Sequence, residues 1–288
     1  MPPIALTRDA VLEHSGQLSS FPRVVLDILA TVDDPDGCFK VLVACISHDP
    51  IIAARVLAEA NTAAVRMRRQ EFVTDIYTAT SLVGMGRVRE IALVGSLAPF
   101  LCSMAGEPAS TRLWQHSVAV GVCCQEILLH TGAPVSTDDA MIAGLMHDLG
   151  QFWFYHFDNE AYRHCWRQAR ARAGDIEAVE RDCFGVDHST VGAWLAEHWQ
   201  VPPAICEAIR GHHTPPGAAH NPLVALVTVA EVLSHALELG GGEEHHVVSL
   251  SAASCQSIGL VWDEGAQTLF GRVEARTRYA NGYFLNAG

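Results

Sequence analysis

In the stretch AGLMHDLGQFWF, Ala143 to Phe154, a histidine and an aspartate, His147 and Asp148, stand together among small and apolar residues. Both side chains are costly to bury unless a partner meets them. The chain has 15 histidines, so the face each occupies matters more than its presence. Helical spacing puts His116 on a stripe with Val120, Cys123 and Ile127, and His147 with Ala140, Ala143 and Gly144. His188 aligns with Val191, Gly192, Leu195 and Trp199, and His212 with Ile205, Ala208 and Ile209; His213 follows at the helix end. Four stretches thus turn imidazoles toward apolar faces, and one adds a carboxylate. One such histidine is ordinarily a satisfied core residue. Several together suit Fe, Mn, Zn or Ni, and a carboxylate between two ions is the usual frame of a two-metal phosphoester site. A polar cluster of hydrogen-bonded imidazoles without metal remains the alternative. His14, His48, His130, His156, His164, His198, His220, His235, His245 and His246 fall in loops, at helix ends or without partners; His245 and His246, which follow two glutamates in a Gly-rich loop, are read as surface.

The elements that must position these groups are helices. RVVLDILATV, CFKVLVACIS and IIAARVLAEANTAA carry helical rather than alternating patterning. Pro22 and Pro50 suit first helical positions after Ser20 and Asp49. TDIYTATSLVG reads as a helix capped by Thr74 and stopped at Gly84, and GRVREIALVGSLAPFL as another running to Pro99. No stretch reads as a strand. Ser103 to Ser110, SMAGEPAS, reads as a linker; HTPPGAAHNP and LGGGEEHH read as loops. The expected organisation is all-α: an N-terminal helical subdomain at 1–105, a helical bundle at 110–240, and a C-terminal tail at 241–288. The tail is expected to pack as one or two helices across the N-terminal half.

The 288 residues suffice for a sizeable core, and 49% are hydrophobic. No apolar run reaches the length of a membrane span, and the start lacks a basic-then-apolar leader, so the expected location is the cytoplasm without membrane attachment. The net charge of −13 argues against a nucleic-acid partner. The arginines of VRMRRQ, Val65 to Gln70, read as a solvated turn, with an anionic partner as the alternative. Nine scattered cysteines with no CxxC read as reduced thiols, mostly buried on helices.

From about Phe21 to about Leu239 the chain resembles the HDOD family, the HD-related output domain. The resemblance rests on FPRVVLDILATVDDPDG, on ISHDPIIAARVLAEANTAA with its Leu57-to-Asn61 spacing, and on ATSLVGMGRVREIAL. The later half is similar to HD-superfamily metal-dependent phosphohydrolases, through His116, His147-Asp148 and a late acidic residue. His188 and His212-His213 are similar to the HD-GYP branch, which hydrolyses cyclic di-GMP. The resemblance implies a bacterial signalling module; many members lack the metal ligands, whereas this chain keeps them. It also implies that Glu231 takes the place of the late aspartate. Gln151 stands where the hydrolase pattern has a lysine, and TPPGAAHNP stands where the GYP loop would recognise the dinucleotide.

The function expected is therefore a regulatory module, non-catalytic, with one or two divalent transition-metal ions (Fe, Mn, Ni or Zn) held by His116, His147, Asp148, His188, His212, His213 and Glu231. Its partners would be signalling proteins. The alternative is a phosphohydrolase or phosphodiesterase acting on a nucleotide or cyclic dinucleotide, with Asp148 bridging two ions. A metal-free scaffold would instead lose stability steeply below about pH 6, because buried imidazoles resist protonation.

Overall fold

Helix starts are set by side chains that accept a backbone N–H of the first turn, among them Thr7, Asp49, Asp75, Ser136, Asp187, Asn221 and Ser251. Gly84 at φ 88° and Gly132 at φ 67° end two helices in backbone conformations that disfavour a Cβ. The computed structural model describes residues 5–30, 35–66, 72–106, 108–171, 176–213, 221–240, 250–263 and 265–285. Among them there are only helices, turns and loops, so the protein is all-α.

In chain order these helices are α1 (Arg8–Ser15), α2 (Arg23–Leu29), α3 (Pro35–His48), α4 (Pro50–Arg66), α5 (Ile76–Val83) and α6 (Met85–Cys102). Next come α7 (Ala109–Thr131), α8 (Thr137–Met146), α9 (Leu149–Ala171), α10 (Ile176–Phe184) and α11 (His188–His198). The last are α12 (Pro203–Gly211), α13 (Pro222–Ala236), α14 (Ala252–Ser257) and α15 (Gly265–Leu285). The backbone forms two compact units, residues 22–99 and residues 1–21 with 100–288.

The smaller unit packs α2, α3, α4 and α5 around Val25, Ile28, Leu42, Ile46, Ile52, Val56 and Ala79. Asn61 clasps its extended segment: the side-chain amide donates to the carbonyls of Leu57 and Val73, and its oxygen accepts from Val73 N–H at 2.8 Å. The functional content of the Leu57-to-Asn61 spacing is thus a backbone clasp. Three local expectations shift by a residue or more. Asp75 rather than Thr74 caps α5, because its carboxylate takes the N–H of Thr78. Pro22 lies just before α2 rather than within it. Helix α6 continues through Pro99 to Cys102; the proline forfeits one backbone hydrogen bond, and the buried Phe100 and Leu101 beyond it hold the last turn in place.

The larger unit is built on α7, which packs against α8, α13 and α15, while α9 packs against α11. Helix α9 breaks at Asp158, where the backbone is extended and the carboxylate accepts from Ala161 N–H to cap the second half. The described part of the tail is α14 and α15. Helix α15 packs against α7 and α14 against α13, whereas the sequence had suggested packing across the N-terminal half. The reason is a buried carboxylate. Glu126 on α7 accepts from Arg272 Nε at 2.6 Å and Arg276 Nη1 at 2.7 Å, and Arg276 also reaches Gln125. Removing both arginines leaves Glu126 buried without these donors. The double variant Arg272→Ala/Arg276→Ala should lose about 2 kcal/mol, below the cost of a fully buried pair because both arginines are partly solvated; urea unfolding followed by helical circular dichroism measures it.

The cysteines described are all free thiols. No single described helix is long and apolar enough to cross a membrane; one pair, 39–48 with 50–62, passes by length and composition together but is bent by 115°. Residues 67–70 of the arginine stretch, and most of the HTPPGAAHNP and LGGGEEHH loops, lie outside the described residues.

Candidate metal centre

Helix α7 carries His116, the α8–α9 junction carries His147 and Asp148, α11 opens on His188, His212 and His213 follow α12, and α13 carries Glu231. Two close crossings bring these elements together. A Cβ on Gly144 would lie 2.5 Å from Gly121 Cα, so α8 meets α7 backbone to backbone. A Cβ on Gly150 would lie 2.0 Å from the His188 carbonyl oxygen, so α9 meets the start of α11 in the same way. The small residues beside the HD pair are what let the imidazoles approach.

All seven sequence-derived candidates fall in one cluster. Asp148 is its centre, and its two oxygens face opposite ways. Oδ1 lies 3.4 Å from His188 Nε2 and 3.8 Å from His212 Nε2. Oδ2 lies 3.3 Å from His147 Nε2 and 3.7 Å from His116 Nε2. The imidazoles also face one another, Nε2 to Nε2: His116 to His147 at 3.3 Å, His188 to His213 at 3.1 Å and His188 to His212 at 3.4 Å. Glu231 Oε1 is 3.9 Å from His213 Nε2.

The far nitrogens explain why this arrangement suits a cation. His147 Nδ1 faces the Gly144 carbonyl at 2.8 Å, His212 Nδ1 the Ile209 carbonyl at 2.7 Å, and His188 Nδ1 the Glu180 carboxylate at 2.7 Å. Each Nδ1 faces an acceptor and therefore carries the proton, which leaves a neutral ring's Nε2 lone pair aimed into the cluster. Lone pairs converging at 3.1–3.4 Å repel unless a proton or a metal lies between them. Nitrogens bound at about 2.0–2.1 Å around one tetrahedral ion stand about 3.4 Å apart, close to these separations. Asp148 Oδ1 is buried and accepts no hydrogen bond. The donor set, the spacings and this orphaned oxygen all fit a divalent transition metal.

Two residues that sequence reasoning missed belong here. Glu180 is fully buried on α10; it accepts from His188 N–H and from Tyr162 Oη at 2.6 Å, besides facing His188 Nδ1. Its signal was present: Ile176 and Phe184, one turn before and after it, are both buried. His235, set aside in the sequence among histidines at helix ends or without partners, stacks on His116 with ring centroids 4.6 Å apart and joins His116 and Glu231 in one donor group. It stands one helical turn after Glu231, on the same face of α13.

Protonation splits the cluster. Burial, with the charges of His147 and His235 adding to it, holds His116 down to about 3. Burial and His212 hold His213 well below the usual histidine value. Burial acts the same way on His188, but Glu180 and Asp148 outweigh it and raise this imidazole to about 10. His147 is likewise raised, with Asp148 outweighing burial. Burial would raise Asp148, but His147 and the hydrogen bonds around it hold it well below the usual carboxylate range. The uniform acid sensitivity expected of metal-free imidazoles is therefore too simple. His116 and His213 lose their stabilising contribution as pH falls below about 6.5, whereas that of His188 is complete below about 6.5 and is lost as pH rises through about 10. A metal must displace the His188 proton. Metal uptake near pH 7 should therefore release at least one proton per chain, with the raised His147 adding to that of His188, read by calorimetry in buffers of differing ionisation enthalpy; Glu180→Gln should weaken uptake about 10-fold and lower that release.

A family model for the HDOD domain matches residues 18–215. The chain belongs to the HDOD family. An uncharacterized protein of Treponema pallidum (strain Nichols) is 24% identical over 225 residues, covering 77% of this chain and 43% of that relative, so the chain spans less than half its length. Among solved structures, an HDOD domain protein of unknown function from Geobacter sulfurreducens is 22% identical, with 96% of each chain covered and a TM-score of 0.74. A candidate signal transduction protein from Marinobacter aquaeolei VT8 is 20% identical over 96% of this chain and 60% of that one, with a TM-score of 0.73. A candidate phosphohydrolase from Shewanella amazonensis SB2B is 19% identical over 93% and 97%, with a TM-score of 0.62. These three share the fold.

Proposed function

We propose that this chain is a regulatory signalling module of the HDOD type whose helical bundle holds a divalent transition-metal centre without running hydrolysis. The observation that carries the metal is the convergence of imidazole Nε2 atoms on Asp148, whose Oδ1 has no other partner. His116, His147, Asp148, His188, His212, His213 and Glu231 would hold one or two ions of Fe, Mn, Ni or Zn. The signalling name of the Marinobacter neighbour agrees with a regulatory role. Protein partners, rather than nucleic acid or membrane, and a cytoplasmic location are part of the reading.

The chain's own residues do three things here. Glu180, Tyr162 and the Gly144 and Ile209 carbonyls fix the imidazoles, with three of the Nδ1 atoms tied down. Asp148 presents one oxygen to each half of the cluster. Gln151, buried one helical step beyond, offers a neutral amide, which cannot donate a proton to a leaving group as an acid would. A bound metal would supply Lewis acidity and tie five helical segments together, so that its binding free energy appears as folding free energy.

A second reading, a metal-dependent phosphodiesterase acting on a nucleotide or cyclic dinucleotide, is favoured by the divided geometry of Asp148 and agrees with the Shewanella neighbour's name. Metal-loaded protein assayed with bis(p-nitrophenyl) phosphate and with cyclic dinucleotides separates the two. The regulatory reading predicts no turnover above that of the free metal. Turnover that disappears in Asp148→Asn would establish the second reading instead.

A further inference from the structure

We propose that the cluster contains two distinct cation positions, the outer one made by His116, Glu231 and His235, and that His235 is a ligand of that outer ion alone. The inference rests on the metal-centre reading above and deepens it. Four overlapping donor groups occur among the described residues; two share no residue and define the positions, and the other two, His116 with His147 and Asp148 and His147 with His212 and Glu231, bridge them. Asp148, His188, His212 and His213 place one ligand atom each within 4.8 Å of one another, and so do His116, Glu231 and His235. Asp148, His188 and His212 are buried; His213, His116, Glu231 and His235 are partly exposed, His213 at 27% more so than His116 at 12% or Glu231 at 13%.

Three observations place the outer ion. Helices α7 and α13 pack against each other, which sets His116 opposite the face of α13 that carries Glu231 and, one turn later, His235. The His116 and His235 rings are stacked 26° from parallel, so both can present a nitrogen toward Glu231 from the same side. Asp148 turns Oδ2 toward His116 and His147 while Oδ1 serves the inner imidazoles, so one carboxylate contributes to both positions. Two imidazoles and a carboxylate form a donor set suited to Fe(II), Mn(II), Co(II) or Zn(II).

Anchoring sets the expected order of affinity: the inner group includes His188 and His212, whose Nδ1 atoms are tied to the Glu180 carboxylate and the Ile209 carbonyl.

The test is equilibrium dialysis of the full chain against Co(II) alone, with bound metal counted by plasma mass spectrometry and coordination followed by visible absorption. The wild type should bind two equivalents in two phases, the second at least 10-fold weaker. His235→Ala should keep the first phase and lose the second, with helical circular dichroism unchanged; His235→Gln decides the matter if the alanine variant does not fold. A wild type that binds one equivalent overturns the outer position and leaves the metal-centre reading standing. Retention of both phases in the His235 variants overturns the role of His235. Loss of both phases in a folded variant overturns the separation into two positions. Absence of any bound cobalt in the wild type overturns the metal-centre reading itself.

Discussion

Replacing Asp148 with alanine removes the thermal stabilisation that a divalent transition metal confers on this protein. A ligand supplied at 1,000 times its dissociation constant stabilises the folded state by about 4 kcal/mol. For a chain of this size each kcal/mol moves Tm by roughly 2–4 °C, so saturating metal should raise the wild-type Tm by about 10 °C. Asp148 approaches both imidazole sets, with Oδ1 toward His188 and His212 and Oδ2 toward His147 and His116. Without it, the metal-dependent rise should fall below about 2 °C. The chelated variant should also be less stable than the chelated wild type, because His147 and His188 lose the charge that holds their protons. Asp148→Asn separates these effects: it keeps the shape and removes the charge. A metal-dependent rise of wild-type size in both variants would place the metal elsewhere.

Gly150→Ala should be the most damaging substitution of a single methyl group. Its Cβ would fall 2.0 Å from the His188 carbonyl oxygen, 2.7 Å from the carbonyl carbon and 2.8 Å from Cα. All three atoms are backbone, so no rotamer change relieves the overlap and α9 must part from α11. Overpacking that side chains can absorb costs about 1–3 kcal/mol; a backbone overlap should cost at least about 3 kcal/mol. The same displacement moves His188 off its anchor on Glu180, so metal uptake should weaken as well. Gly271→Ala is the control, since nothing lies within 4 Å of its added Cβ inside α15. There the change should stabilise by about 0.5–1 kcal/mol through helix propensity. Comparable melting temperatures for the two variants would mean that the α9–α11 crossing is looser than the geometry requires.

Helical periodicity made much of this legible from sequence. The all-α class followed from apolar spacing, and the inward faces of His116, His147, His188 and His212 were readable because each shares a stripe with residues that are buried here, such as Val120, Ala143, Val191 and Ile209. What escaped was information carried between helices. Glu180 lies on a short helix rich in charged residues, and nothing local says that its carboxylate receives His188 and Tyr162. His235 looked like a helix-end residue, yet the pairing of α13 with α7 sets it on His116. The docking of α15 on α7 depends on Glu126, the one carboxylate on a long apolar helix, whose partners lie about half the chain away. Local capping was misplaced by one residue at Thr74 because Asp75, next to it, is an equally good cap.

The central claim is that the cluster around Asp148 holds a metal, and metal content per chain tests it most directly. Untagged protein purified without chelator or added metal should carry about one to two equivalents of Fe, Mn, Ni or Zn by plasma mass spectrometry, and Asp148→Ala should carry less than about a tenth. Wild-type protein below about a tenth of an equivalent, with no uptake when metal is supplied, would contradict the account and leave a helical module whose imidazoles are held by protons alone.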